Sequence, residues 1–318
     1  YTAVGWLRGR FYVTAQRIDR DKRHDPGSFD AQAVARGVRR MRKKYPRNRL
    51  VSHLVENCVF RYGCPNAKNF VLGRSECGIP VSTRCNASCR GCISAQEHTA
   101  NILSPQDRLC FTPTPAEIAE IAVDHLELAT RPIVSFGQGC EGEPLCEAGV
   151  IEEAIRRIRA RTGRGVIHMN TNGGDPAALQ RLLAAGLDSI RVSMNSAQKR
   201  LYTQYHRPRT YAFSDVIRSI KLARKHKRWV SLNYFVFPGL TDHPREMVAL
   251  NRLISSTEIN MLQTRNLNID PHWYIETLGL ESCGKNAVGI LAWLAHMRKA
   301  HPRLLLGYFN PDKRVIGK

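Results

Sequence analysis

Long apolar segments are missing from this sequence of 318 residues. No window reaches the roughly 18 consecutive apolar residues that a membrane-spanning helix needs, so we expect no membrane span. The sequence shows no secretory signal peptide either. Because it begins at Tyr1 rather than at a methionine, a targeting segment before it is an open alternative. The ten cysteines cluster rather than pair across the chain, which suits a reducing compartment, and we expect a cytoplasmic protein.

Acidic residues are scarce as well. The chain has 27 Asp and Glu against 48 Lys and Arg, a net charge of +21. Residues 1–77 hold 17 of the basic and 6 of the acidic side chains, about half of the excess in a quarter of the chain. The densest basic run, residues 36–49, would attract nucleic acid or another polyanion. A solvated helix face or docking to an acidic protein would also explain it, and no aromatic RNP run or GXXG clamp supports RNA binding.

Three cysteines lie close together in the run VSTRCNASCRGCI of residues 81–93. Cys85, Cys89 and Cys92 have the spacing C-x3-C-x2-C, directly after a short apolar stretch. Three thiolates on one loop can hold three corners of a cubic iron–sulfur cluster, and without a fourth regularly spaced cysteine one iron stays open. A structural zinc site with Cys77 or Cys110 as fourth ligand is the main alternative. A disulfide framework fits poorly, because such frameworks belong to small secreted domains without a large core.

Strand-like and helix-like segments alternate from residue 78 onwards. Strands are predicted at about 78–82, 132–136, 166–170, 189–194, 230–237 and 261–264, with a seventh at 304–309. Helices between them start at Thr114 and Asp175, each followed by proline. Six or so such units predict a parallel α/β sheet with outer helices, either open or closed into a barrel.

Residues 1–77 have a different pattern. Segments 4–7 and 10–15 predict a hairpin that turns at Arg8-Gly9, and residues 28–44 predict a basic helix. We therefore predict two domains, a small basic α+β domain over 1–77 and an α/β domain over 78–318.

Polar or glycine-rich runs follow almost every predicted strand of the second domain. The cysteine triplet follows the first strand, GQGCEGEP of 137–144 the second, and NTNGG of 170–174 ends the third. The fourth strand ends at Ser193-Met-Asn195, and further polar residues close the fifth and sixth strands. Because the carboxyl ends of parallel strands meet at one edge, these runs predict a single binding site and an enzyme.

The combination resembles the radical SAM superfamily, whose members use S-adenosylmethionine (SAM). The cysteine triplet and the Glu141-Gly-Glu-Pro144 run, similar to the GGEP segment of that superfamily, carry the resemblance over about residues 78–310. It implies a partial (β/α)6 TIM-like barrel, a [4Fe-4S] cluster on the three cysteines and SAM on the open iron. It further implies cleavage of SAM to a 5′-deoxyadenosyl radical, fed by a low-potential electron donor such as flavodoxin or ferredoxin. One departure is Gly91, because the residue before the third cysteine is often aromatic and near adenine; Ile93 is a candidate replacement.

The resemblance also suggests residues for SAM. Glu143 and the backbone carbonyls of the glycine-rich run offer acceptors to the SAM ammonium group, and polar strand ends suit its ribose, carboxylate and adenine. The candidate set is Gly139, Glu141, Gly142, Glu143, Asn170, Asn172, Ser193, Asn195, Val236 and Arg265.

Other cysteines have weaker interpretations. Cys58, Cys64 and Cys77 are candidates for a second metal site, with Cys110 as a fourth ligand, and free buried thiols are the simpler interpretation. Cys140, inside the glycine-rich run, is the one candidate catalytic residue, as a hydrogen-atom donor or a substrate ligand. Residues 202–208, near the end of the fourth strand, are interpreted as a solvated surface loop, with contact to the substrate as the alternative.

The sequence therefore predicts an oxygen-sensitive radical SAM enzyme that abstracts hydrogen from an anionic substrate, either RNA, a phosphorylated metabolite or a peptide. The alternative is a nucleic-acid-binding module with a structural zinc site. That alternative explains the charge and one cysteine group, but it does not explain the series of polar strand ends.

Overall fold

The computed structural model describes residues 4–15, 17–19, 21–96, 103–280 and 284–317. Its centre is a seven-stranded parallel sheet whose strands lie in sequence order and curl into a half barrel. A separate antiparallel hairpin consists of β1 (Val4–Leu7) and β2 (Arg10–Val13). The sheet strands are β3 (Arg74–Gly78), β4 (Thr130–Phe136), β5 (Val166–Thr171), β6 (Ser189–Met194), β7 (Trp229–Val236), β8 (Met261–Asn266) and β9 (Leu305–Gly307).

Helices cover the outer face of this sheet and fill the connections. Within the described ranges, no helix is both long and apolar enough to cross a bilayer. The helices are α1 (Ala31–Lys44), α2 (Arg49–His53), α3 (Pro65–Val71), α4 (Pro115–Leu128), α5 (Ala148–Arg161), α6 (Pro176–Ala185), α7 (Lys199–His206), α8 (Phe213–Lys225), α9 (Pro244–Thr257), α10 (Pro271–Leu278), α11 (Ile290–Ala300) and α12 (Lys313–Ile316), and a π-helical segment, Leu54–Arg61, continues α2.

Local signals placed most elements correctly. The hairpin turns at Arg8 and Gly9, which both have positive φ, the conformation that a two-residue hairpin turn of this type needs. Thr114 forms a capping box at the start of α4, and Asp175 caps α6 through the Ala178 amide. The predicted partial barrel is confirmed, with β9 as its seventh strand.

The first sheet strand was predicted about four residues too late. It covers Arg74–Gly78 rather than 78–82, and its polar sequence RSECG hid it. Glu76 is fully buried inside the half barrel, where Asn310 Nδ2 donates to its carboxylate at 2.8 Å. The predicted domain boundary at residue 77 falls within this strand and stays a prediction.

Two residues of the N-terminal region bond to the segment that follows the edge strand β9. The Tyr308 amide donates to Asp19 Oδ2 at 2.5 Å, and Arg23 Nη1 donates to the Asn310 carbonyl at 3.2 Å. Asp19 and Arg23 thus attach the N-terminal region to the open edge of the half barrel.

The basic helix α1 lies away from the carboxyl edge of the sheet. Its apolar face is buried, and Gly37 is required because a Cβ there would come within 2.3 Å of the Val71 carbonyl oxygen. Lys44 forms a 2.7 Å ion pair with Asp124, near the C-terminal end of α4. Because α4 leads directly into β4, this ion pair lies at the amino edge of the sheet. A polyanion partner for this helix stays a prediction.

Candidate active site

The cysteine triplet (Cys85, Cys89 and Cys92) lies on the loop that leaves the carboxyl end of β3. Backbone hydrogen bonds attach this loop to the end of α7 and the residues after it. The Arg90 amide donates to the Tyr205 carbonyl at 2.9 Å, and the Arg209 amide donates to the Asn86 carbonyl at 2.9 Å. The loop is therefore fixed by its main chain, which leaves the three thiols available as ligands.

The three thiols are partly buried and line one cavity of about 230 Å³. Burial, with Glu143 nearby, raises the pKa of Cys85 to about 11, and burial with the two neighbouring thiols raises the pKa of Cys89 further. Coordination to a metal removes the proton from a thiol, so a bound metal would hold Cys85 and Cys89 as thiolates. Three thiols that line one cavity can hold three corners of an iron–sulfur cluster and leave one iron open.

Two side chains contact these sulfurs: His206, from the segment 202–208, and Arg108, which the sequence did not suggest. His206 Nδ1 lies 3.4 Å from Cys89 Sγ, and burial lowers the pKa of His206 to about 3, so its ring is neutral. Arg108 Nη2 donates to Cys92 Sγ at 3.5 Å. Hydrogen bonds and charges at cluster ligands set reduction potentials, so both residues are positioned to tune a bound cluster.

Glu141 holds the glycine-rich run against the start of the cysteine loop. Its carboxylate accepts hydrogen bonds from the amides of Gln138 at 2.6 Å, Val81 at 2.7 Å and Ser82 at 2.9 Å. Burial raises its pKa to about 7 despite these donors. Glu141 lines the cavity, but its oxygens are already committed to the backbone of two loops.

Glu143 has a different environment two residues later. Its carboxylate accepts hydrogen bonds from the Asn172 amide at 2.8 Å, the Leu145 amide at 3.1 Å and the Thr171 hydroxyl. All three donors are neutral, and burial raises its pKa to about 7. A buried carboxylate of this kind gains from a cation, and the ammonium group of SAM would supply one.

The cavity collects nine of the ten predicted SAM residues. Val236 is the exception, because it lines a separate cavity beside Trp293. The Oδ1 atoms of Asn195 and Asn233 are buried without a hydrogen-bond partner, so they offer acceptors to a ligand. The nine are Gly139, Glu141, Gly142, Glu143, Asn170, Asn172, Ser193, Asn195 and Arg265.

Tyr205 occupies the space that a side chain at position 91 would take. A Cβ on Gly91 would lie 2.2 Å from the Tyr205 hydroxyl oxygen and 2.9 Å from Cγ2 of Ile269. Tyr205 and Ile93 line the cavity beside the cysteines. An aromatic ring is therefore present near the third cysteine, but it comes from α7 rather than from the cysteine loop.

The interpretation of residues 202–208 as a solvated loop was wrong. Residues 202–206 form the C-terminal part of α7, and Tyr202, Tyr205 and His206 are all buried. The apolar residues Leu201, Tyr202 and Tyr205 follow a helical spacing, which was the available signal.

The remaining cysteines group differently from the prediction. Cys58 Sγ lies 3.9 Å from Cys140 Sγ, and with His53 they form a group whose ligand atoms all lie within 4.8 Å of one another. Cys77 is not part of it, because it is buried on the face of β3 opposite to that of Glu76. Cys64 lines the same cavity as Cys58 and Cys140. Nine cysteines are free thiols, and Cys283 lies outside the described residues.

Comparison with known proteins decides the family. The sequence model of the radical SAM superfamily matches residues 79–250, which is more than half of the chain. The chain belongs to the radical SAM superfamily. It is therefore an enzyme of the radical SAM class, which implies a [4Fe-4S] cluster and SAM, rather than a nucleic-acid-binding module with a structural zinc.

Relatives of this radical SAM enzyme are distant. GTP 3',8-cyclase of Pseudomonas putida (strain W619) is 29% identical over 185 residues, 58% of this chain and 51% of the relative, so the chain matches about half of that protein's length. The crystal structure of methylornithine synthase (PylB) is 14% identical with a TM-score of 0.51, over 92% of this chain and 75% of that one. Native anSMEcpe with bound AdoMet is 16% identical with a TM-score of 0.52, over 73% and 64%. These two structures share the fold.

Proposed function

We propose that this radical SAM enzyme removes a hydrogen atom from a small anionic substrate that binds beside the SAM cavity. Cys85, Cys89 and Cys92 would hold a [4Fe-4S] cluster, which would supply one-electron reductive cleavage of SAM bound beside it. The single observation that carries the proposal is a second cavity that shares a wall with the first and contains excess positive charge.

The protein's own residues bind and orient SAM in this proposal. Glu143 pairs with the ammonium group, and the unpartnered oxygens of Asn195 and Asn233 accept hydrogen bonds from the nucleoside part. Tyr205 packs on the adenine side in place of a side chain at Gly91. These contacts hold SAM still and exclude water from the reaction.

The second cavity has a volume of about 300 Å³, at the lower end for small-molecule sites. The two cavities share Ile93, Gly139, Asn170, Arg191 and Arg265 along their common wall. Since the wall is common, a substrate here would lie next to the SAM cavity.

The charge of this second cavity favours an anion. Among the described residues, neither Arg191 nor Arg265 has a carboxylate within ion-pair distance, and the buried Arg191 Nε has no hydrogen-bond partner. Glu76 is the one carboxylate among the described residues that line this cavity. Two guanidinium groups and one carboxylate leave a net positive site, which suits phosphate oxygens.

A nucleotide or similar phosphorylated metabolite fits these features better than RNA or a peptide. Asp19 and Arg23 attach the N-terminal region to the segment after β9, and the cavity has the size of a small ligand. The relative named GTP 3',8-cyclase makes GTP the first candidate to test. A low-potential donor such as flavodoxin or ferredoxin, in the cytoplasm, remains part of the proposal.

The test is anaerobic turnover by reconstituted enzyme with dithionite and SAM. We expect GTP or another nucleoside triphosphate to increase 5′-deoxyadenosine formation, and an RNA oligonucleotide to leave it unchanged. Arg265→Gln should raise the KM for the anion by ~10- to 100-fold, the value of a charge-assisted hydrogen bond. The matched control is Arg157→Gln, an exposed arginine on α5. Stimulation by RNA alone, or equal effects of the two variants, would contradict the proposal.

A further inference from the structure

Three ligating side chains meet outside the cysteine triplet. The sulfurs of Cys58 and Cys140 and a ring nitrogen of His53 all lie within 4.8 Å of one another. Cys58 is 4% exposed and Cys140 is 6% exposed, so both thiols lie in the interior. The His53 side chain also hydrogen-bonds to Cys140, and its buried Nε2 atom has no hydrogen-bond partner among the described residues. A buried imidazole nitrogen without a partner is costly unless something binds it.

An unusual backbone brings two of these ligands together. His53 ends α2, and the π-helical segment Leu54–Arg61 carries Cys58 five residues later. In an α-helix, residues five apart lie on different faces, whereas the i to i+5 winding of a π-helix aligns them. π-Helices are rare, usually a single turn, and frequent at functional sites. The segment thus directs His53 and Cys58 toward the same partner, Cys140.

The distances suit a single ion. A tetrahedral Zn²⁺ with Zn–S bonds of about 2.3 Å separates two sulfurs by roughly 3.8 Å. The distance between Cys58 Sγ and Cys140 Sγ is 3.9 Å. With the ring nitrogen of His53 within 4.8 Å of both sulfurs, the three ligand atoms can share one ion.

The group borders an open space. Cys58 and Cys140 both line the cavity of about 300 Å³ that contains Arg191 and Arg265. Zinc sites with three protein ligands and an exchangeable fourth position are typical of catalysis, and a Cys₂His set is one of the known forms. Two thiolates and a neutral imidazole balance the charge of Zn²⁺, so the fourth position can take an anionic oxygen or a water.

We propose that His53, Cys58 and Cys140 bind one Zn²⁺ ion whose fourth coordination position opens onto this cavity. The ion acts as a Lewis acid that holds a donor atom of the substrate in place next to the SAM cavity. That this donor atom belongs to the substrate rests on the proposed function. Zinc binding by the three side chains does not depend on it.

The test uses the full chain with its cluster reconstituted, so that iron occupies the triplet. After removal of loosely bound metal with a chelator, we expect one zinc per chain beside the cluster iron. His53→Gln, Cys58→Ser and Cys140→Ser should each reduce bound zinc at least tenfold and leave the iron content unchanged. Cys110→Ser, at an exposed thiol, and Cys146→Ser are the matched controls and should retain both metals.

Cobalt gives a second measurement that does not depend on turnover. Co²⁺ in place of zinc should show thiolate-to-cobalt charge transfer and tetrahedral ligand-field bands, and the three ligand variants should lose them. Circular dichroism checks that each variant is folded. Zinc retained in all three variants, zinc lost equally in Cys146→Ser, or a Cys58–Cys140 disulfide with no zinc in anaerobically prepared protein would overturn the proposal.

The two proposals fail separately. Zinc binding with no anion-stimulated SAM cleavage would leave the metal site in place and contradict the proposed function. Anion-stimulated SAM cleavage by fully active protein that contains no zinc would overturn the metal site alone.

Discussion

The two cysteine groups of this enzyme differ in the backbone that holds them and in their burial. The triplet lies on a loop fixed by main-chain hydrogen bonds to α7, and its thiols are partly buried. His53, Cys58 and Cys140 are brought together by a π-helical segment and the glycine-rich run; Cys58 and Cys140 are buried, and their sulfurs lie 3.9 Å apart. The comparison teaches that local backbone and burial, not cysteine content alone, distinguish the two sites.

The largest effect should come from breaking the triplet. Cys89→Ala removes the middle thiol of the triplet, so we expect loss of the cluster's iron and brown colour and of all SAM cleavage. Iron analysis and a 5′-deoxyadenosine assay measure both. Zinc bound by His53, Cys58 and Cys140 should persist in this variant, and full cluster content would show that the ligand assignment is wrong.

Glu143→Gln should weaken SAM binding and leave the cluster in place. Loss of a charged hydrogen bond of about 2 kcal/mol corresponds to a ~30-fold higher Kd for SAM. Because burial raises the pKa of Glu143 to about 7, the carboxyl is mostly protonated at lower pH and cannot pair with an ammonium group. SAM affinity should therefore rise with pH through about 7 in the native protein, and less so in the variant.

Glu141→Gln provides the contrast for this experiment. Its carboxylate accepts three backbone amides rather than contacting a ligand cation, so the substitution should lower the unfolding temperature. Equal losses of SAM affinity in the two variants, with no difference in stability, would contradict the separate roles assigned to Glu141 and Glu143.

Gly91→Ala should have an intermediate effect through a steric clash. The new Cβ would lie 2.2 Å from the Tyr205 hydroxyl oxygen, so the tyrosine must move. We expect weaker SAM binding, and we expect the double variant Gly91→Ala/Tyr205→Phe to recover part of it because the clashing oxygen is gone. A binding titration of the four proteins measures the rescue; absence of any rescue would argue against Tyr205 as the residue that fills this space.

Arg108→Gln should have the smallest effect. Its guanidinium donates to Cys92 Sγ at 3.5 Å, and a nearby positive charge favours the reduced, more negative cluster. Its removal should lower the midpoint reduction potential while cluster content stays unchanged, as a redox titration followed by electron paramagnetic resonance would measure. An unchanged or higher potential would mean that this contact does not tune the cluster.

Much of the fold was readable because its signals are local. Caps at Thr114 and Asp175 and the apolar periods of the strands placed most units within a few residues. The first strand was missed because its polar residues, such as Glu76, are satisfied by partners far along the chain, including Asn310. Such compensation leaves no trace in a short window of sequence.

The site was readable only in part for the same reason. The cysteine triplet and the glycine-rich run are short motifs, but Arg108, Tyr205 and His206 reach the cavity through packing of other elements. The π-helical segment also aligns His53 with Cys58, five residues later, and neither the helix repeat nor the strand repeat predicts such a pair.

One measurement tests the central claim most directly. The protein is reconstituted anaerobically with iron and sulfide, reduced with dithionite and supplied with SAM, and 5′-deoxyadenosine is quantified for native protein and for the Cys85→Ala, Cys89→Ala and Cys92→Ala variants. We predict product from the native protein and none from the three variants. A full [4Fe-4S] cluster that forms no 5′-deoxyadenosine with or without nucleotide, or product that survives loss of these cysteines, would contradict the account.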